Sequence, residues 1–195
     1  MNCRGQGRIF LAALAAAIGV ATALHAQTEE TRTLELDGGG RITYALRTHP
    51  ADAHVVRPAA ELAPTSALDA AKLLNLHLST GDIEEAALLS TSPRRRFEVL
   101  RDYRQSVGED EFKRVFAQYF IPENRLIAEI AIGRHRLLIW ELKQGATESA
   151  PQLAHLAGQY FVEVEGRYLI DDMPSEVRTS LRRVLEAYRA GRISR

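Results

Sequence analysis

The hydrophobic pattern changes its period at Pro122, and this change limits the fold more than any other feature of the chain. Before Pro122, apolar residues recur three and four positions apart, as at Phe112, Val115 and Phe116, which is typical of one face of a helix. After it, Ile- and Leu-rich runs are separated by short glycine-containing turns, which is typical of antiparallel hairpins. Helices followed by hairpins predict an α+β domain with the helices on one face of an antiparallel sheet.

Local signals place the ends of these elements. Ser66 with Asp69 matches a capping box at the start of the first helix, and Ser106 with Glu109 matches one at the start of the fourth. Glu165-Gly166 has the composition of a two-residue hairpin turn. The predicted helices are Ser66–Ser79, Ile83–Leu89, Arg94–Gln105, Asp110–Phe120 and Ser175–Ala190, and the predicted strands are Arg125–Ile132, His135–Lys143, Leu156–Val164 and Arg167–Asp171.

The first 26 residues have the pattern of a cleavable export signal. Arg4 and Arg8 precede an uncharged run, Ile9–Leu24, and small residues follow with cleavage expected after Ala23 or Ala26. A helix needs about 20 apolar residues to span a bilayer, and this run is shorter and rich in alanine. The sequence therefore predicts export, the alternative being an uncleaved N-terminal anchor.

Removal of an export signal would limit the side-chain chemistry of the mature chain. The single cysteine, Cys3, lies in the predicted leader, so the mature chain would contain no disulfide, no thiolate nucleophile and no cysteine-ligated metal. The histidines fall at no metal-binding spacing and the chain has no phosphate-cradling glycine motif, so we expect no metal and no cofactor. Alanine is abundant and arginine far outnumbers lysine, which indicates a bacterial protein and, with the leader, the periplasm.

The net charge argues against one class of partner. Twenty-five basic residues balance twenty-five acidic ones, so the chain lacks the excess positive charge of a nucleic-acid-binding protein. We therefore expect no nucleic acid partner.

Three segments make up the expected domain organisation. Residues 1–26 form the signal peptide, and residues 27–65 form an N-terminal hairpin, Thr33–Arg47, followed by a linker rich in proline and alanine. Residues 66–195 form the single α+β domain.

Two stretches resemble a known superfamily. The helical opening LDAAKLLNLHLSTGDIEEAALLS (68–90) and the closing hairpin GQYFVEVEGRYLIDD (158–172) are similar to those of nuclear transport factor 2-like proteins, which include ketosteroid isomerase and SnoaL-like cyclases. The resemblance implies helices on a curved, cone-like antiparallel sheet that encloses a pocket, and a homodimer formed through the sheet. The N-terminal hairpin and the C-terminal helix are additions to that pattern.

The alternation of side chains along the predicted strands indicates which residues could line such a pocket. A carboxylate beside apolar side chains can act as a general base, and Glu129 and Asp171 are the candidates, with Arg136, Trp140 and Tyr160 as pocket residues. In the alternative, Glu129 and Arg136 form an ion pair on the solvent side and Trp140 belongs to the core. One face of the predicted hairpin is expected to carry Ile127, Glu129, Ala131, Arg136, Leu138 and Trp140.

Arginines cluster on the last predicted helix. Arg178 and Arg182 are four residues apart, and together with Arg183 they form a stripe opposite the apolar face. This stripe predicts contact with an anionic partner such as a phospholipid surface or an acidic protein. The alternative is a solvated surface with local pairs such as Arg182–Glu186.

Together these patterns favour an exported cone-fold protein that binds a small apolar molecule or a protein partner without catalysis. The first alternative is an enzyme of the isomerase, cyclase or hydrolase type whose base is Glu129 or Asp171. The second is an envelope interaction module that uses the arginine-rich C-terminal helix.

Overall fold

The computed structural model describes residues 29–143 and 154–193. The predicted leader and the loop predicted at 144–152 lie outside these residues. The described part contains six strands and five α-helices: β1 Glu29–Glu35, β2 Arg41–Arg47, α1 Ala67–Thr80, α2 Ile83–Leu88, α3 Pro93–Val107, α4 Glu109–Ala117, β3 Arg125–Ile132, β4 His135–Lys143, β5 Ala154–Val164, β6 Arg167–Ile170 and α5 Glu176–Arg189.

The six strands form one open antiparallel sheet in chain order, β1-β2-β3-β4-β5-β6. All four helices α1–α4 lie in the connection between β2 and β3. Because β2 pairs with β3, with Leu46 opposite Ile130, the first two strands extend the same sheet. The α+β class and the packing of helices on an antiparallel sheet are thus confirmed.

Both faces of the sheet are covered by helices. Along β4 the side chains alternate: Leu138 and Trp140 join one core with residues of α1–α4, and Leu137 and Ile139 join a second core with residues of α5. Side chains of a strand point to opposite faces in turn, so the two cores lie on opposite sides of the sheet. The prediction of helices on one face holds for α1–α4 only.

The last helix packs closely on its own face of the sheet. Leu181, Val184 and Leu185 of α5 are buried in the second core. A Cβ on Gly158 of β5 would lie 2.7 Å from Leu185 Cδ2 and 3.0 Å from Leu137 Cδ1, closer than ordinary packing allows. Glycine at this position therefore lets α5 approach the sheet.

Most of the predicted element ends are found, and one is wrong. Ser66 and Ser175 cap α1 and α5 by accepting hydrogen bonds from backbone N–H groups three residues on. Ser106 does not cap α4, because α3 continues through it and its hydroxyl donates to the Tyr103 carbonyl at 2.8 Å. The break between α3 and α4 is made instead by Gly108, whose φ is 84°.

A bulge in β3 changes which residues share a face. Leu126 pairs with Trp140, yet Ala128 pairs with Ile139, so Ile127 is the extra residue. Leu126 consequently packs against the first core and Ile127 against the second. The predicted placement of Ile127 on the face of Glu129 and Trp140 is therefore wrong.

Candidate functional site

A cavity of about 320 Å³ lies beside β5, at the edge that faces away from β4 and that β6 leaves unpaired before Phe161. The short strand β6 pairs only with Phe161–Val164, so the residues before Phe161 lie beyond its end. Apolar side chains from α1, α3, α4 and the 3-10 turn Gln118–Phe120 form one wall, to which Arg96 of α3 also contributes: Leu74, Leu78, Leu100, Phe116 and Tyr119. The other wall comes from β5, β6 and α5, and includes Gly158, Gln159, Tyr160, Phe161, Ile170, Asp171 and Arg178.

Asp171 supplies the carboxylate of this lining. It is only 3% exposed, and its Oδ2 lies 3.0 Å from His135 Nδ1. Its backbone N–H donates to the Tyr160 carbonyl at 2.9 Å, and its carbonyl accepts from the Arg178 guanidinium. Asp171 is therefore fixed at the cavity wall by contacts with β4, β5 and α5.

A side-chain amide also faces this cavity. Gln159 Nε2 donates to Asn75 Oδ1 at 3.1 Å, which ties β5 to α1. Its Oε1 is buried and has no hydrogen-bond partner among residues 29–143 and 154–193. Because a buried acceptor is costly when unpaired, this oxygen is suited to a donor on a bound molecule.

Two tyrosines of the lining are harder to ionise than usual. Burial raises the pKa of Tyr119 to about 12, because the phenolate would lose its hydration. Burial also raises the pKa of Tyr160, although the charge of Arg178 acts in the opposite direction. Both side chains are thus neutral phenols, able to donate hydrogen bonds within the cavity at neutral pH.

The raised pKa of Tyr119 predicts a loss of stability in alkali. The folded protein favours the neutral phenol. The stabilisation that this group contributes is therefore complete below its unfolded pKa of about 10 and is lost as pH rises through about 12. Between these values wild type should lose about 2 kcal/mol more of its free energy of unfolding than Tyr119→Phe. Urea denaturation of both proteins at pH 8, 10 and 12 measures this difference in the free energy of unfolding. The other tyrosines are present in both proteins and cancel, so equal losses would contradict the assignment.

A second cavity, of about 350 Å³, adjoins the first and differs from it in charge. Arg95 of α3 and Arg178 and Arg182 of α5 line it, together with the hydroxyl-bearing residues Ser175 and Thr179. Tyr160 and Arg178 line both cavities. The Arg178 guanidinium lies 5.1 Å from the centre of the Tyr160 ring, a cation–π distance. We call this second cavity the arginine mouth.

Glu129 lies elsewhere, at the centre of a buried ion cluster. It is 4% exposed, and its carboxylate is 2.7 Å from His49 Nε2, 3.4 Å from Arg136 Nε and 3.5 Å from Arg47 Nη1. The ion pair between Glu129 and Arg136 that the alternative predicted is present, but its placement on the solvent side is wrong, because the chain leaving β2 brings His49 onto the carboxylate. Glu129 and Arg136 are absent from the linings of the cavities described above.

Trp140 belongs to the core below the cavity. It is 1% exposed and packs edge-on against His54 and Tyr119, with ring centres 5.9 and 5.1 Å away. Of the predicted pocket residues, Tyr160 lines the cavity, while Trp140 supports it through Tyr119.

The predicted arginine stripe is divided by the fold. Arg178 and Arg182 line the arginine mouth and Arg183 does not, although Arg182 and Arg183 are both exposed. Glu186 pairs with Arg189 at 2.8 Å, so the local Arg182–Glu186 pair of the alternative does not form.

Sequence reasoning missed several residues of this region. Arg47 and His49 fell in a predicted hairpin end and linker, and no local pattern joins them to Glu129. Gln159 carried no signal either, because a single amide on a strand has no distinctive spacing, and Arg95 stood out only as one of the three consecutive arginines at 94–96.

Comparison with known proteins gives no identification. No protein-family model, no curated protein and no solved structure matches the chain. In the described ranges, no helix has the length and apolar character needed to cross a bilayer. Within the same ranges, no three His, Cys, Asp or Glu side chains come together as a metal site.

Proposed function

We propose that this protein is an exported periplasmic protein that binds a small, largely apolar molecule in the cavity beside β5. The observation that carries the proposal is the composition of that cavity: leucine and aromatic side chains form one wall, and a few polar groups stand on the other. Ligand sites are mostly apolar, with a small number of polar groups that orient the ligand.

The size of the cavity supports this role. Ligand pockets usually enclose roughly 300–1,000 Å³, and about 320 Å³ is at the small end of that range. A compact apolar molecule of one or two rings, or a short acyl chain, would match it. Gln159 Oε1 would accept a hydrogen bond from such a ligand, and the neutral Tyr119 would cover an apolar surface.

Membership of the nuclear transport factor 2-like superfamily, with its cone-like sheet, remains part of the proposal. The order of elements supports it, since helices precede the main antiparallel strands and a cavity opens between the two. The location is proposed on the predicted leader. Protein purified from the periplasm should have an intact mass that lacks residues 1–23 or 1–26, and native mass spectrometry of the same sample would detect a retained ligand.

A dye titration tests the binding function directly. N-phenyl-1-naphthylamine is a neutral two-ring dye that fluoresces in apolar sites, and we expect a dissociation constant on the order of 10 μM with one site per chain. Leu100→Phe should weaken binding at least about tenfold, because the larger side chain would occupy part of the space that the dye needs.

Val99→Phe is the matched control for this titration. Val99 is the preceding residue of α3 and is 53% exposed, so the same aromatic group is added outside the cavity. This variant should bind the dye like wild type. The absence of saturable binding to wild type, or equal weakening in both variants, would contradict the proposal; thermal melts establish that each variant is folded.

Enzymatic activity is the second candidate, and one observation favours it. Asp171 is a buried carboxylate in the same lining as Tyr119 and Tyr160, which is the combination of base and phenol that proton transfer on a bound substrate requires. Glu129, the other proposed base, is held by Arg47, Arg136 and His49 away from the cavity. Asp171 is therefore the residue on which the enzymatic alternative depends.

A further inference from the structure

We propose that the arginine mouth binds an anionic group of the ligand, so that the natural ligand is an amphipathic anion with its apolar body in the cavity beside β5. This inference rests on the proposed function and specifies the chemical class of the ligand. The anionic group would be a carboxylate, sulfonate or phosphate, which guanidinium groups recognise through paired hydrogen bonds.

The geometry joins the two cavities into one site. Tyr160 and Arg178 belong to both linings, so a molecule that fills the apolar cavity has its end at the arginine mouth. Arg178 is held at the boundary by its hydrogen bond to the Asp171 carbonyl and its position over the Tyr160 ring. Because this guanidinium is already fixed, little side-chain conformational entropy is lost when it binds a ligand.

The charges of the mouth are not cancelled by its one acid. Asp172 is already bound by Arg96 through both carboxylate oxygens, and it accepts a hydrogen bond from Ser90 Oγ at 2.5 Å. Arg95 and Arg182 have no acidic partner within ion-pair distance in the described part of the chain. The mouth therefore carries an excess of positive charge that an anion would neutralise.

The start of α5 in the same place favours an anion further, although the Thr179 hydroxyl already donates to the Ser175 carbonyl at 3.0 Å. Ser175 caps the 14-residue helix α5, and both Ser175 and Thr179 line the mouth. The positive end of the helix dipole thus points to the region that the three arginines surround. Donors and positive charge come from two helices, α3 and α5, so the recognition does not depend on a single element.

The test compares two dyes that share the same apolar body. N-phenyl-1-naphthylamine is neutral, and 8-anilino-1-naphthalenesulfonate is that molecule with a sulfonate added. Wild type should bind the sulfonate at least about tenfold more tightly, because charge-assisted hydrogen bonds to guanidinium groups contribute that much. Isothermal titration with one site per chain separates this binding from adsorption to unfolded protein.

Two double variants that each remove two positive charges distinguish binding by the arginine mouth from a general effect of net charge. Arg95→Ala/Arg182→Ala removes the two unpaired arginines of the mouth, and affinity for the sulfonate should fall to within about twofold of that for the neutral dye. Arg94→Ala/Arg183→Ala removes neighbouring arginines outside the mouth, so the preference should persist. Arg178 stays in both proteins because it supports Asp171.

The outcomes distinguish the two proposals. If wild type binds both dyes equally, or if both double variants retain the preference, the anion site is overturned while the binding cavity stands. If neither dye binds wild type, the binding function itself fails. Co-sedimentation with vesicles of anionic phospholipid that requires Arg95 and Arg182, without any preference for the sulfonate dye, would replace the small ligand by a membrane surface and overturn the inference.

Discussion

Replacing Glu129 with alanine should lower the free energy of unfolding by about 3–5 kcal/mol, the cost of breaking a buried ion pair from one side. The carboxylate stands between His49, Arg136 and Arg47 and is almost wholly buried. Without it, the buried Arg136 guanidinium would lose its counter-charge and face a second guanidinium. Urea denaturation at pH 7 measures the change without adding salt, which would screen the charges.

Glu29→Ala provides the matched control. Glu29 binds the same Arg47 guanidinium, but from the exposed edge strand, where its side chain is 48% exposed. Exposed ion pairs contribute little, so this variant should lose about 1 kcal/mol or less. Similar losses for the two variants would mean that burial adds nothing to the Glu129 cluster, and would contradict the prediction.

Trp140→Ala should have a comparable effect, a loss of about 3–5 kcal/mol, for a different reason. The indole lies between the sheet and the first helical layer and contacts the rings of His54 and Tyr119. Its removal would leave a void that the surrounding rigid elements cannot fill. Since Tyr119 lines the cavity, we also expect weaker binding of the neutral dye.

Trp140→Phe separates the loss of volume from the loss of a polar group. The indole Nε1 is buried without a hydrogen-bond partner in the described ranges, so phenylalanine removes an unpaired donor while it keeps an aromatic ring. This variant should lose less than half of what Trp140→Ala loses. If the two losses were the same, packing around the ring would not be the source of the effect. Urea denaturation again gives both values.

The parts of the fold that the sequence predicts are those determined locally. Ser66 caps α1 through a contact three residues away, and the change of period at Pro122 reflects side chains within one turn or one strand. At the Glu165-Gly166 turn both residues have positive φ, as the paired strands require. Such signals are complete within a few residues and need no knowledge of the remaining chain.

The parts that escaped prediction depend on distant residues. His49 and Glu129 are 80 residues apart, and only the course of the chain after β2 brings them together. The extra residue at Ile127 moves its side chain to the other face of the sheet. The sequence does not reveal this, because Leu, Ile and Ala at 126–128 are apolar and fit either register. Asp171 could be named from its place after a strand, but its His135 contact depends on pairing across β4, β5 and β6.

The position of α5 has a consequence for quaternary structure. The homodimer predicted from the sequence would form through the sheet, and such an association needs an uncovered apolar sheet face in each subunit. Here Leu181, Val184 and Leu185 already occupy that surface, and Gly158 makes room for them. A second copy of the chain could therefore reach this face of the sheet only if α5 were displaced from it.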